Sequence, residues 1–379
     1  MRNKSMFFSV VLFLAILMFV VSCGQQGAKW KGTIEEENGI TVVKNPKEAI
    51  YEEDVLQLEE NLTITSPEDE ELMFQRLTFL DVDDNENIFV SDSKAGHILV
   101  FDKNGEFVRK IGRRGQGPGE MVFPFEIRIL GQRELFVNDM GQAKAHFFTL
   151  EGEFLRQKTT SHLPYFRRPE ADSVGNIVVG HVIAGEPVKT VLKKFDSELN
   201  PICEITSSVT ISQPPVYDYF ELQRGTNYVW NVSNTDEIIW GDLKNYEIHV
   251  CNSEGKCVKK IVRDFDNNAI TGAEKNKIIK NMFGDNPVPS SMTLKFPDSY
   301  PPFIRFTCDE EGRIFVQRYD SSLEEERVFY DIFDAEGKYV GKTTINFMPQ
   351  VWKNNMMYCV EADEEGFDII KRYKVNWAI

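Results

Sequence analysis

The chain has 379 residues, 59 acidic against 43 basic side chains, and a formal net charge of −16. A surface that acidic repels nucleic acid and anionic headgroups, which argues against either as a general partner. Six cysteines, with no C-x-x-C pair and no zinc-ligand spacing, exclude a cysteine-based zinc site.

The N-terminus starts Met1-Arg2-Asn3-Lys4 and continues as an apolar run from Met6 to Val21, broken by Ser9. That run is shorter than the roughly 20 residues a spanning helix needs. Two cations, an apolar stretch and a small residue before a cysteine describe a secretory signal. Val20-Val21-Ser22-Cys23 resembles the bacterial lipoprotein box, which implies a signal peptide over 1–22, cleavage after Ser22 and acyl chains on Cys23 that hold the protein on a membrane. An ordinary export signal or a short anchor is the alternative, and both also require export. Gly24 is not the aspartate that retains enterobacterial lipoproteins at the inner membrane, so the expected address is the outer membrane of the cell envelope, on its periplasmic face or at the surface. Loss of residues 1–22 removes Arg2 and Lys4 and no acid, so the formal charge becomes −18.

Residues 23–53 read as a tether carrying one hairpin, Lys31 to Lys44, turned at Asn38-Gly39. Asp54 to Ser66 then reads as a lone strand through Leu56, Leu58, Leu62 and Ile64. After it a strand-turn-strand unit recurs. Asn87 to Asp92 with Ile98 to Phe107 is echoed by Leu135 to Asp139 with Phe147 to Phe154. Further echoes begin at Ile177, Ile238 and Ile314. The leading strands start at 88, 135, 177, 238, 314 and 357, spacings of 47, 42, 61, 76 and 43. A repeat of about 40 to 50 residues built from short strands marks a β-propeller, because one four-stranded blade cannot bury both faces alone. Five complete units, plus a composite of Asp54 to Ser66 with Phe367 to Val375, predict an all-β, six-bladed propeller over 54–379 whose closed ring has no open edge. The two longest spacings hold insertions. One spans Ser207 to Tyr228, with Tyr217 and Tyr219. The other holds a helix over Thr271 to Phe283, capped by Thr271, and the Pro-rich stretch Asn286 to Pro302. Insertions in a repeat array gather on one face, where binding surfaces are built.

Two segments carry a family resemblance: the glycine-rich run Ile111-Gly112-Arg113-Arg114-Gly115-Gln116-Gly117-Pro118-Gly119-Glu120, and the Asp-rich turn and strand from Asp81 to Val90. With these the chain resembles the NHL-type, TolB-like six-bladed propellers, and most of all the bacterial lipoproteins described as six-bladed β-propeller proteins, over about residues 54–375. Such a resemblance implies fold and leaves function open, since the family hosts protein binders, sugar binders, lactonases and lyases.

Individual motifs are less informative. No Lys-Ser/Thr and no helix follow Gly112 to Gly119, so the run is no phosphate cradle, and its glycines are expected to supply positive φ in an interblade loop. Asp81, Asp83 and Asn85 have calcium-loop spacing, but Glu86 stands where that loop needs Gly, so a hairpin turn is expected. Five histidines (His97, His146, His162, His181 and His249) are scattered. Neither the histidine zinc set of the lyases nor the acidic and amide metal set of the lactonases can be assembled from this sequence, and no Gly-x-Ser-x-Gly elbow occurs. Cys251 and Cys257 replace the aromatic pairs Phe101/Phe107 and Phe148/Phe154 across a hairpin turn, either as a disulfide or as two reduced core thiols. The propeller map sends Arg113, Arg114, Arg167 and Arg168 to one mouth, with His162, Tyr165, His181, Tyr217, Tyr219 and Arg224 nearby. Arginines among aromatics would hold an anionic or sugar-like ligand; solvated cations balancing local acids are the alternative. The expected protein is therefore a non-enzymatic, membrane-anchored module binding an envelope protein, peptide or glycan, with no cofactor. The competing expectation is a metal-dependent hydrolase or lyase, lactonase-like, using calcium or another divalent metal in the central channel.

Overall fold

The computed structural model describes residues 29–378 except 53, 162, 164–165, 211, 213–214, 225–226 and 320–327. Cys23 and the signal peptide expected over 1–22 lie outside the described residues.

Six four-stranded antiparallel blades follow one another around a ring. Blade 1 is Leu77–Val82, Ile88–Asp92, His97–Phe101 and Phe107–Ile111. Blade 2 is Pro124–Leu130, Glu134–Asp139, Lys144–Thr149 and Phe154–Thr159; blade 3 is Arg167–Ala171, Ile177–Ile183, Lys189–Phe195 and Pro201–Val209. Blade 4 is Tyr228–Val232, Ile238–Asp242, Glu247–Cys251 and Cys257–Arg263; blade 5 is Phe303–Cys308, Ile314–Arg318, Val328–Phe333 and Tyr339–Ile345. Blade 6 combines Val351–Lys353, Met356–Ala362 and Asp368–Trp377 with Leu56–Ile64 from the start of the chain, registered Leu56 to Trp377 through Ile64 to Ile370. The lone early strand thus closes the ring, as its alternation and the short C-terminal unit predict.

The middle strands of the blades are largely buried because neighbouring blades cover both their faces. In blade 1 every residue of Ile88–Asp92 is buried, and Phe89, Phe136 and Phe315, from blades 1, 2 and 5, are fully covered. Hairpin turns repeat one device. The Asp102 carboxylate accepts from the backbone of Asn104 and Glu106, Gly105 supplies φ +86°, and Asp83, Asp172, Asp196, Asp309 and Asp363 accept in the same pattern. The Asp81 to Asn85 segment is therefore turn chemistry.

The hairpin Thr33–Glu37 and Ile40–Asn45 turns at Asn38-Gly39 as predicted, but it is built into the propeller. Its second strand runs parallel to Cys257–Arg263 and extends blade 4 to six strands. Val42 and Val43 are buried there. Asn45 donates to the Gly337 carbonyl at 2.9 Å and accepts from the Tyr339 amide at 2.7 Å, tying the hairpin to blade 5. The sequence gives no hint of this pairing, because its partner lies more than 200 residues away.

Candidate binding face and central channel

All inner strands run in the same direction, so the loops entering them and the loops joining second to third strands share one face. Both insertions emerge there. Val216–Asp218 of the first pairs in parallel with Thr293–Lys295 of the second, locking the two together. The short helix Tyr219–Arg224 follows the first strand; the longer helix Gly272–Phe283 carries the predicted capping box between Thr271 and Glu274. Beneath them Phe220, Ile270 and Tyr300 form a small separate core with Tyr219 and Tyr319 around it.

A cleft of about 520 Å³ opens between the insertions and the edges of blades 3 and 4. Phe220, Tyr228 and Trp240 close its floor, and Ser207, Ser208 and Asn227 supply hydroxyl and amide groups. Asp218, Glu221, Asp242 and Asp298 also line it, against the single cation Lys244. Burial raises the Asp218 pKa, and the neighbouring Glu221 adds to it. The cleft therefore suits a neutral or basic group and disfavours an anion.

The predicted arginine mouth divides into unrelated sites. Arg113 is tied to Glu120 at 2.7 Å, and Arg114 donates to the Lys94 carbonyl at 2.7 Å, so this pair belongs to the linker between blades 1 and 2. In that linker Gly112 and Gly119 have positive φ, as expected, while Gly115 and Gly117 make room for the Glu120 side chain. Arg167 is exposed at the start of blade 3. His181 is buried and packs on Phe195, and Tyr217 and Tyr219 sit in the first insertion. His162, Tyr165 and the Arg224 side chain lie outside the described residues.

Arg168 turns instead toward the central channel. It occupies a bulge in the innermost strand of blade 3, at φ +52°, a left-handed conformation uncommon for arginine. Its amide donates to Glu126 at 2.7 Å and its carbonyl accepts from Trp230 Nε1 at 3.0 Å, which pins the bulge. Arg305, absent from the sequence-based set, stands at the matching bulge of blade 5. With Arg128 and Glu170 these two line a small cavity on the channel axis, to which all six blades contribute through residues such as Phe79, Trp230 and Gln350. Arg128 pairs bidentately with Glu170 at 3.1 and 2.9 Å. Burial, reinforced by Arg168, pushes the Arg305 pKa down to about 10. At the opposite, turn-bearing mouth the channel widens into a cavity of about 420 Å³.

The remaining candidates serve packing. His146 is fully buried 3.7 Å from Asp139, His249 stacks on Trp240 at 4.1 Å, and His97 is buried in blade 1. Cys251 and Cys257 are registered opposite one another and joined as a disulfide. Among the described residues no group of three or more His, Cys, Asp or Glu is placed to hold a metal ion.

A family model described as 6-bladed beta-propeller matches residues 33–170. Among solved structures, the fold is similar to a Bacteroides fragilis protein described as exported, at 11% identity over 88% of this chain and 99% of that one, with a TM-score of 0.55. A member of the DUF4221 family from Bacteroides vulgatus is similar at 12% identity, over 86% of this chain and 99% of that one, with a TM-score of 0.50. These likenesses show the fold alone. No curated protein matches the chain.

Proposed function

We propose that this protein is an exported, lipid-anchored and non-enzymatic binding module that engages a protein, peptide or glycan of the cell envelope through its loop-bearing face. The observation that carries the reading is the cleft of about 520 Å³ built where the two insertions meet. Repeat proteins place insertions on the face they use, and here the insertions are pinned together by a strand pair of their own. Aromatic floor, hydroxyl and amide groups and an excess of carboxylates favour a hydroxyl-rich sugar or a basic peptide, in place of the anion that the arginine pattern suggests. The sequence of residues 1–23 supports export and attachment through Cys23 to the outer membrane.

Calorimetric titration of the purified protein with envelope glycans and with basic and acidic peptides tests this. The double reversal Asp242→Lys and Asp298→Lys should abolish binding of the best ligand and leave the melting temperature nearly unchanged, because both residues are partly solvated. Intact binding in that variant would move the ligand away from the cleft. A stoichiometric divalent metal together with turnover of a lactone or ester would replace the binding module with the hydrolase or lyase.

A further inference from the structure

The channel carries two guanidiniums for which the described residues supply no acceptor, although carboxylates stand close by. Glu170 is taken by Arg128. Asp81 accepts from the backbone amides of Val82 and Ile129, both at 2.8 Å. Glu126 accepts from the Arg168 amide at 2.7 Å and from Asn138 Nδ2 at 2.9 Å. The Arg168 and Arg305 side chains line the same cavity, and neither makes a hydrogen bond or ion pair with a described residue. Both residues are half-buried, and the cavity lining sets three arginines against the single carboxylate of Glu170, so the confined channel holds an excess of positive charge for an anion to offset.

We propose that the channel is an anion-binding site, in which Arg168 and Arg305 together hold a halide or the carboxylate head of a larger solute. Both arginines are presented by bulges in inner strands, and the Arg168 bulge keeps an unfavourable backbone conformation through its bonds to Glu126 and Trp230. A strained arginine aimed at a cavity is the arrangement expected of a binding residue. Tyr330 adds an independent observation. It lies two registered steps from Arg305 across blade 5, through Gln317. Its hydroxyl is fully buried with no hydrogen-bond partner among the described residues. The cavity measures about 40 Å³, room for a group of a few atoms. It shares Arg128, Glu170 and Gln350 with the wider cavity at the turn-bearing mouth, so a longer solute would reach the arginines from that side. The site is separate from the insertion cleft, and each stands without the other.

Melting temperature is to be followed while bromide or acetate replaces a bulky sulfonate at constant ionic strength, and bromide is to be located in crystals by its anomalous signal. The intact protein should be stabilised saturably by at least one of the two anions, with a bromide peak between the two guanidiniums. Arg305→Gln should weaken that dependence at least tenfold, and Arg305→Lys should restore part of it. Displacement of bromide by acetate identifies a carboxylate site; bromide stabilisation that acetate neither reproduces nor reverses identifies a halide site. No saturable effect of either anion on the intact protein, an undiminished effect in a folded Arg305→Gln variant, or bromide found only outside the channel would overturn the proposal. Should Arg305→Gln fail to fold, the bromide position in the intact protein decides.

Discussion

Arg263 of blade 4 reaches Asp331 of blade 5 at 2.6 Å, with both side chains almost entirely shielded from water. Tyr246 and Tyr339 donate to the same carboxylate at 2.6 and 3.0 Å, and the guanidinium lies over the Tyr339 ring at 4.1 Å. Burial alone would lower the Arg263 pKa, but Asp331 and the two tyrosines outweigh it and raise it. This network is a buried polar seam between two blades whose apolar side chains share one core.

Removing one partner of such a seam strands the other. Asp331→Ala should lower stability by about 3–5 kcal/mol, the cost of an uncompensated buried charge. The double variant Arg263→Ala/Asp331→Ala should lose less than the two single losses combined. Urea denaturation of the four proteins measures both, and strict additivity would show that the pair is not coupled.

Acid sensitivity should concentrate on Asp139. Burial works to raise its pKa, but His146, the Val122 and Phe123 amides and Gln142 hold it down at about 2 against an ordinary 3.8. A carboxylate with a lower pKa folded than unfolded stabilises the fold fully above the unfolded value, and that stabilisation disappears as pH falls through the folded one. The intact protein should therefore lose about 2 kcal/mol between pH 4 and pH 2 from this residue. Asp139→Asn should be less stable at pH 7 and show a correspondingly flatter stability profile across that window. Equal slopes in urea titrations of the two proteins would assign the acid limb to other groups.

Shortening the chain from the N-terminus should weaken it in two steps. A protein beginning at residue 51 loses Val42, Val43 and the Asn45 bonds and uncovers the outer edge of blade 4, so it should still fold but melt several degrees lower. One beginning at residue 67 also loses Leu56–Ile64 and with it the fourth strand of blade 6; it should aggregate. A soluble, cooperatively melting 67–379 protein would refute ring closure as a requirement for folding.

Cys23→Ala tests the membrane anchor. Without the thiol that accepts the acyl chains, the exported protein should keep its signal sequence and lose lipid labelling. Unchanged processing and unchanged partitioning into detergent would show that the N-terminus is an ordinary signal.

Fold was readable in the sequence because each blade repeats local chemistry. The Asp-x-Asn-Gly-type turns, the apolar second strands and the unpaired strand at Leu56 are short-range signals, and together they fix blade number and closure. The docking of Ile40–Asn45 was not readable, since a parallel pairing across that sequence distance leaves no local pattern. The channel site escaped for a similar reason. Arg305 sits in Pro-Phe-Ile-Arg-Phe, where a lone cation in a strand reads as the solvent-facing member of an alternation. A bulge turns it inward, and only the closed ring brings it to the cavity shared with Arg168. Arg113 and Arg114 illustrate the converse, because loop position gives no notice of the partners Glu120 and Lys94.

Ring closure also imposes a timetable. Leu56–Ile64 is made early, but its partner Asp368–Trp377 arrives about 300 residues later, an interval of roughly 15 to 60 seconds at synthesis rates of about 5 to 20 residues per second. Throughout that interval the strand is an unpaired edge, open to wrong partners. Its own composition answers the hazard: Glu59 and Glu60 lie in the middle of the edge, where charge discourages association with another strand, and both remain outward-facing once Trp377 and its neighbours complete the blade.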